Sequence, residues 1–218
     1  MPQLTRVDGV HVLDLGDSEN RFSPVWLSEA EAALDTVVAD PAPLVALGAG
    51  KFFSNGLDLA WVMENADQLP AYTARVQALL ARVLTLPVPT VAALNGHAFG
   101  AGAMLALACD WRVMREDRGF FCLPEVDIQI PFTPGMAALI QGKLTPRAAV
   151  DTMTTGRRFG GLEAREAGIV DAVAAEGDLL AAATALVAPL AGKSAETLGR
   201  IKATMFADSV SALSEVDL

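Results

Sequence analysis

Two glycine-bearing segments constrain this chain most. Gly48–Asp58 follows the apolar run Leu44–Leu47, and Asn95–Gly100 follows Thr90–Leu94; each leads toward a helical stretch. A strand–loop–helix unit used twice argues for α/β architecture with parallel strands, because parallel neighbours need a crossover. A helix start leaves backbone N–H groups unpaired and turns the positive end of the helix dipole outward. Two such loops side by side would aim two N–H donors at one oxygen, forming an oxyanion hole. The plainer reading is that the glycines only permit tight turns and close packing. A dinucleotide fingerprint at Gly100-Ala101-Gly102 fails on spacing, because position 105 is Leu105.

Periodicity supplies the other elements. Val10, Val12, Leu13 and Leu15 suggest a strand. Ser28 with Glu31 makes a capping box for a helix running to about Val38. Ala71–Leu84 and Ala101–Leu107 read as helices, and Trp111–Met114 and Phe120–Cys122 as strands. Thr145–Met153, Leu162–Ala167, Asp178–Leu190 and Ser194–Phe206 are Ala-rich and amphipathic. A boundary near Gly142 therefore divides an α/β core, residues 1–142, from a helical region, residues 143–218.

Composition narrows the function classes. The 218 residues are 52% apolar, enough for a sizeable core. Apolar runs stop well short of the ~20 residues that span a bilayer, and MPQLTRVDGV lacks a signal-peptide pattern. Acidic residues outnumber basic ones, 26 to 16, for a net charge of −10. No basic stripe speaks for nucleic acid. The two cysteines, Cys109 and Cys122, sit in apolar surroundings without a CxxC or Cys/His cluster, so neither a disulfide framework nor a metal site is expected. Reduced thiols and the missing address point to a cytoplasmic protein.

Glu125 stands among apolar neighbours in Leu123-Pro124-Glu125-Val126-Asp127-Ile128. A carboxyl in an apolar pocket has a raised pKa, which suits acid/base work near neutrality. Taken alone, a solvent-facing or salt-bridged glutamate is the plainer reading. Asp127 would share its side only in an extended segment.

Together these segments resemble the crotonase (enoyl-CoA hydratase/isomerase) family. The resemblance rests on Phe53-Ser54-Asn55-Gly56-Leu57-Asp58-Leu59, on the run from Pro89 through Asn95-Gly96 to Gly100-Ala101-Gly102, on Cys109-Asp110, and on Thr155-Gly156 with Ala164 through Val170. It covers most of the chain. The fold it implies is α/β, a crotonase-type spiral of ββα units with a helical C-terminal trimerisation part, assembled as a homotrimer or hexamer. It implies an acyl-CoA thioester substrate and no separate cofactor. Oxyanion-hole N–H groups fall on Leu57 and Ala101, and the acid/base on Glu125. Ser54, Asn55, Gly56, Asp58, Gly100 and Met104 fall on the substrate site, and Lys202 is a candidate for CoA phosphates.

Three departures refine the expectation. Hydratases of the family carry a second glutamate at the position of Met104, whose thioether cannot exchange a proton. One glutamate suffices for moving a double bond, so a Δ3,Δ2-enoyl-CoA isomerase is the leading reading. The alternatives are a hydratase or another enolate reaction, and, in another class, a non-catalytic acyl-CoA-binding scaffold. Ala101 replaces a usual glycine. The sequence stops soon after the Lys202 helix, where many relatives of the family have another helix that helps to cover the acyl pocket or contacts a neighbour, so a more open pocket is expected.

Overall fold

The computed structural model describes residues 1–215. Strands β1 (Gln3–Val7) and β2 (Val10–Asp14) form a hairpin; α1 (Pro24–Ala39) leads to β3 (Leu44–Leu47) and β4 (Phe52–Ser54). Then come α2 (Leu59–Glu64), α3 (Leu69–Leu84), β5 (Thr90–Leu94), β6 (His97–Phe99) and α4 (Ala101–Ala108). The strands β7 (Trp111–Arg115) and β8 (Phe121–Cys122) precede α5 (Glu125–Ile128), α6 (Pro134–Lys143), α7 (Pro146–Thr155) and α8 (Gly161–Glu166). Strand β9 (Ala172–Ala174), α9 (Leu179–Val187), α10 (Ala195–Met205) and α11 (Ala207–Ser214) complete the described chain.

Two sheets result. The larger has the order β1-β2-β3-β5-β7-β9, and the smaller β4-β6-β8. Among the named strands of the described residues, β1 against β2 is antiparallel and the other pairings are parallel; an isolated antiparallel bridge joins Phe121 to Phe159. Each of the pairs β3/β4, β5/β6 and β7/β8 places one strand in each sheet before a helix follows. The chain thus winds three turns of a ββα spiral. Both glycine segments, read from sequence as loops, contain a short strand of the smaller sheet. Three-residue strands are too short for alternation to reveal.

Helix α4 sits at the centre. Its sequence, AGAMLALA, is apolar on every side, and all eight residues are buried; a helix without a polar face has to be enclosed. Glycines let the backbones around it close up. A Cβ on Gly102 would lie 2.4 Å from the Ser54 carbonyl oxygen, and one on Gly96 would lie 2.1 Å from that of Lys51.

Several sequence expectations shift. Helix α1 begins five residues early: Ser23 caps it, accepting from the Trp26 N–H, and Pro24 takes the first turn. Ser28 is instead inside the helix, its hydroxyl bonded back to the Pro24 carbonyl. Helix α6 was not legible, because its apolar residues do not form one stripe. The C-terminal part is not purely helical, since β9 pairs with β7. Positions 216–218 of that part lie outside the described residues. A helix does follow the one that carries Lys202: α11, which packs on α6 and α3.

Lys202 is neither a phosphate ligand in reach of solvent nor a solvated surface lysine. It is 4% exposed, and its Nζ donates to Asp110 Oδ2 at 2.7 Å and to the Val88 carbonyl at 2.8 Å. The same Asp110 oxygen accepts the Thr90 N–H at 2.8 Å. An ion pair thus pins α10 to the entry of β5. Breaking a buried pair costs roughly 3–5 kcal/mol because it strands a charge. Asp110 keeps some solvent contact, so Lys202→Met is expected to destabilise the fold by about 3 kcal/mol, read as a lower urea midpoint at unchanged slope. A loss under about 1 kcal/mol would mean that this pair behaves as a surface pair.

Candidate active site

The first loop is shaped by side-chain amides. Asn20, held at φ +50°, donates from Nδ2 to the carbonyls of Gly16 and Phe53, each at 3.0 Å. Asn95 accepts the Gly48 N–H at 2.9 Å and donates to the Gly50 and Phe52 carbonyls, so the start of the second loop holds the first. Ser54 is fully buried; its hydroxyl donates to the Asn20 carbonyl and accepts the Gly56 N–H.

Gly56 is where the loops meet. It has φ +75°, and a Cβ there would lie 2.8 Å from Ala101 N and 3.1 Å from Gly102 N. A side chain would therefore be strained by its backbone angle and would also strike the start of α4. Leu57 follows, and its N–H donates to no protein group among the described residues. Ala101 opens α4, so its N–H has no acceptor within the helix. The positive φ, +51°, falls on Gly100 rather than Ala101. The alanine is thus accommodated without backbone strain.

Asp58 supports the loop from behind. Its carboxylate caps α2 at the Trp61 N–H, and its own N–H donates to the Tyr72 hydroxyl at 2.9 Å. That hydroxyl donates in turn to the Phe22 carbonyl, and burial pushes its pKa up to about 12, so it remains a donor.

Glu125 is the first residue of α5, directly after β8. It is 8% exposed, and its Oε2 has no hydrogen-bond partner. A Cβ on Gly100 would be 3.4 Å from Oε1, which puts the carboxyl beside the N-terminal end of α4. Burial pushes its pKa up to about 7, only partly offset by its own backbone N–H. The helical turn separates it from Asp127, whose carboxylate would lie 2.2 Å from a Cβ on Gly156.

These groups surround a cavity of about 220 Å³. Of the sequence candidates, Asn55, Leu57, Gly100, Ala101, Met104 and Glu125 line it. Ser54, Gly56 and Asp58 hold its walls from behind, and Lys202 belongs elsewhere. Met104 is one turn after Ala101 on α4 and 1% exposed, so a thioether occupies the wall near Glu125. Sequence reasoning missed Arg21, which lines the cavity while paired with Glu19, and the apolar wall of Ile128, Ile130, Phe132 and Met136. The run Ile130–Phe132 carried a signal: apolar residues close to a candidate acid, with no strand or helix to claim them. His97 packs among Phe52, Phe99 and Phe120, its pKa lowered by burial and by Lys51, Arg158 and Arg118.

The arrangement offers one proton-exchanging carboxyl with a pKa near neutrality, two N–H groups without internal acceptors, and apolar walls. That set fits abstraction of a proton next to a carbonyl whose oxygen becomes negative. No helix among the described residues is long and apolar enough to cross a membrane.

Comparison with known proteins agrees with this chemistry. Residues 6–216 match the family model described as enoyl-CoA hydratase/isomerase. The chain is 36% identical over 177 residues to the peroxisomal enoyl-CoA delta isomerase 1 of Arabidopsis thaliana, covering 78% of this chain and 74% of that one. It is 36% identical over 208 residues to a putative enoyl-CoA hydratase of Thermus thermophilus, covering 91% and 81%. A solved enoyl-CoA hydratase/isomerase family protein from Pseudomonas syringae superposes with a TM-score of 0.92 at 26% identity, over 99% of this chain and 94% of that one. By its spiral fold and by matches along nearly its whole length, the chain belongs to the enoyl-CoA hydratase/isomerase, or crotonase, family of enzymes.

Proposed function

We propose that this enzyme is a Δ3,Δ2-enoyl-CoA isomerase, using Glu125 as its single proton shuttle. The thioester carbonyl accepts from the Leu57 and Ala101 N–H groups. Ionised Glu125 takes a proton from C2 of a 3-enoyl thioester, and the electron pair delocalises onto the thioester oxygen and, through the C3–C4 double bond, onto C4. Protonated Glu125 then returns the proton at C4, leaving the double bond between C2 and C3. One carboxyl serves as base and then as acid, so proton and charge balance over the cycle.

One observation carries the reading. Glu125 is the one carboxyl that lines the cavity among the described residues, and Met104, which by likeness to the family's hydratases matches their second glutamate, lines it with a thioether. Adding water needs a group that positions and activates it, and a thioether is only a weak acceptor. Hydration is the second reading, because relatives named as hydratases match as well. Both readings share an enolate held by an oxyanion hole. The reading extends to a homotrimer or a pair of trimers, by likeness to the family.

Glu125→Gln is expected to lower turnover of 3-hexenoyl-CoA by about 10²–10⁴-fold, the usual worth of a positioned acid/base, while binding of a saturated acyl-CoA stays within about threefold. A variant that retained turnover would exclude the mechanism, and one that also lost binding would give Glu125 a structural role. The pH dependence follows from the raised pKa. Glu125 is neutral and inactive as a base below it, and ionised above it. The kcat/KM for isomerisation is therefore expected to rise with pH through an inflection at about 7 and then level off. A profile already flat from pH 5 upward would contradict it.

A further inference from the structure

Helix α4 has a cavity at each end. Its N-terminus borders the candidate active site. Beyond its C-terminus, Trp111, Leu190, Leu198 and Phe206 help to line a second cavity of about 410 Å³, within the roughly 300–1,000 Å³ of small-molecule sites. Three ammonium groups border these mainly apolar walls: Lys143, Lys193 and Lys202. The one carboxylate in the lining, Asp110, is taken by Lys202.

Lys143 is the unbalanced member. Its Nζ donates to the Cys109 carbonyl at 2.9 Å and stands 5.1 Å from the Phe206 ring centroid, and no carboxylate pairs with it among the described residues. The Cys109 oxygen lies at the negative end of α4, and that dipole offsets only about half a charge. Arg112 claims the same oxygen at 3.3 Å. Burial, and then Arg112, push the Lys143 pKa down to about 8. An ammonium has three donors, so two remain for a ligand. Lys193 makes no side-chain ion pair or hydrogen bond among the described residues. Unpaired cations at the border of an apolar cavity suit a ligand with an anionic head and an apolar tail, held locally against the chain's net charge of −10.

We propose that this cavity is a second binding site, for an amphiphilic carboxylate such as a medium-chain fatty acid. The head pairs with Lys143 and Lys193, and the tail lies against Trp111, Leu198 and Phe206. The site is separate from the catalytic cavity. Helix α6 reaches that cavity with Met136 and this one with Lys143, seven residues and about 10 Å further along the axis.

The test compares decanoate with 1-decanol on the intact protein at pH 7, by calorimetry and by tryptophan fluorescence. Decanoate is expected to bind saturably, and decanol at least about tenfold more weakly. The fluorescence change is expected to disappear in Trp111→Phe and to persist in Trp61→Phe. Lys143→Gln is expected to weaken decanoate at least about fivefold, and Lys193→Gln by less. On the unmodified protein, affinity is expected to fall between pH 7 and 10 as Lys143 loses its proton. The groups facing Lys143 are Arg112, Asp110, Lys202 and Cys109, and the Cys109 thiol, pushed up to about 12, stays neutral in that range. Equal binding of decanol overturns the proposal, as does a fluorescence change that survives Trp111→Phe. So does a carboxylate preference that is unchanged by pH and by Lys143→Gln.

Discussion

The structure turns on the contact between the start of α4 and the first glycine loop. Gly102 lets the helix approach the Ser54 carbonyl to a distance that no side chain would permit, and Gly56 lies directly against Ala101 N. This contact sets two N–H groups from separate spiral turns beside one cavity. Asn20, Asn95 and Ser54 then satisfy the polar backbone that the tight turns leave behind. Each is buried, so losing one would leave backbone groups unpaired at about 1–3 kcal/mol apiece.

The same enclosure decides the chemistry of Glu125. The carboxyl lies beside the positive end of a helix, which favours its charged form, yet its pKa is raised, because burial outweighs that field. Met104 contributes a thioether to the same wall, so no second acid lines the cavity among the described residues. The opposite end of α4 holds the converse case, an ammonium whose pKa burial depresses.

Much of this was legible in the sequence. The parallel strands β3, β5 and β7 appear as short apolar runs with turn residues after them, and α4 as an uninterrupted apolar stretch. Of the smaller sheet only β8 was legible, as Phe120–Cys122; β4 and β6 were hidden, because three-residue strands carry no period and their register comes from the neighbouring turn of the spiral. Lys202 was misread for a related reason: a lysine on an amphipathic helix looks solvated until Asp110, 92 positions earlier, is brought beneath it. The ring of Asn55, Leu57, Gly100, Ala101, Met104 and Glu125 could be named from spacing and family resemblance. Arg21 could not, since it reaches the cavity only through long-range packing.

The central claim is that one carboxyl moves a proton and no second group activates water. The most direct measurement follows 3-hexenoyl-CoA and crotonyl-CoA side by side with one enzyme preparation. Formation of the conjugated 2-enoyl thioester from the first, with hydration of the second at least about 100-fold slower, is the predicted result; a difference of that size corresponds to about 2.7 kcal/mol between the two barriers. Hydration as the faster reaction would contradict the account, because some group other than Met104 would then have to hold the water.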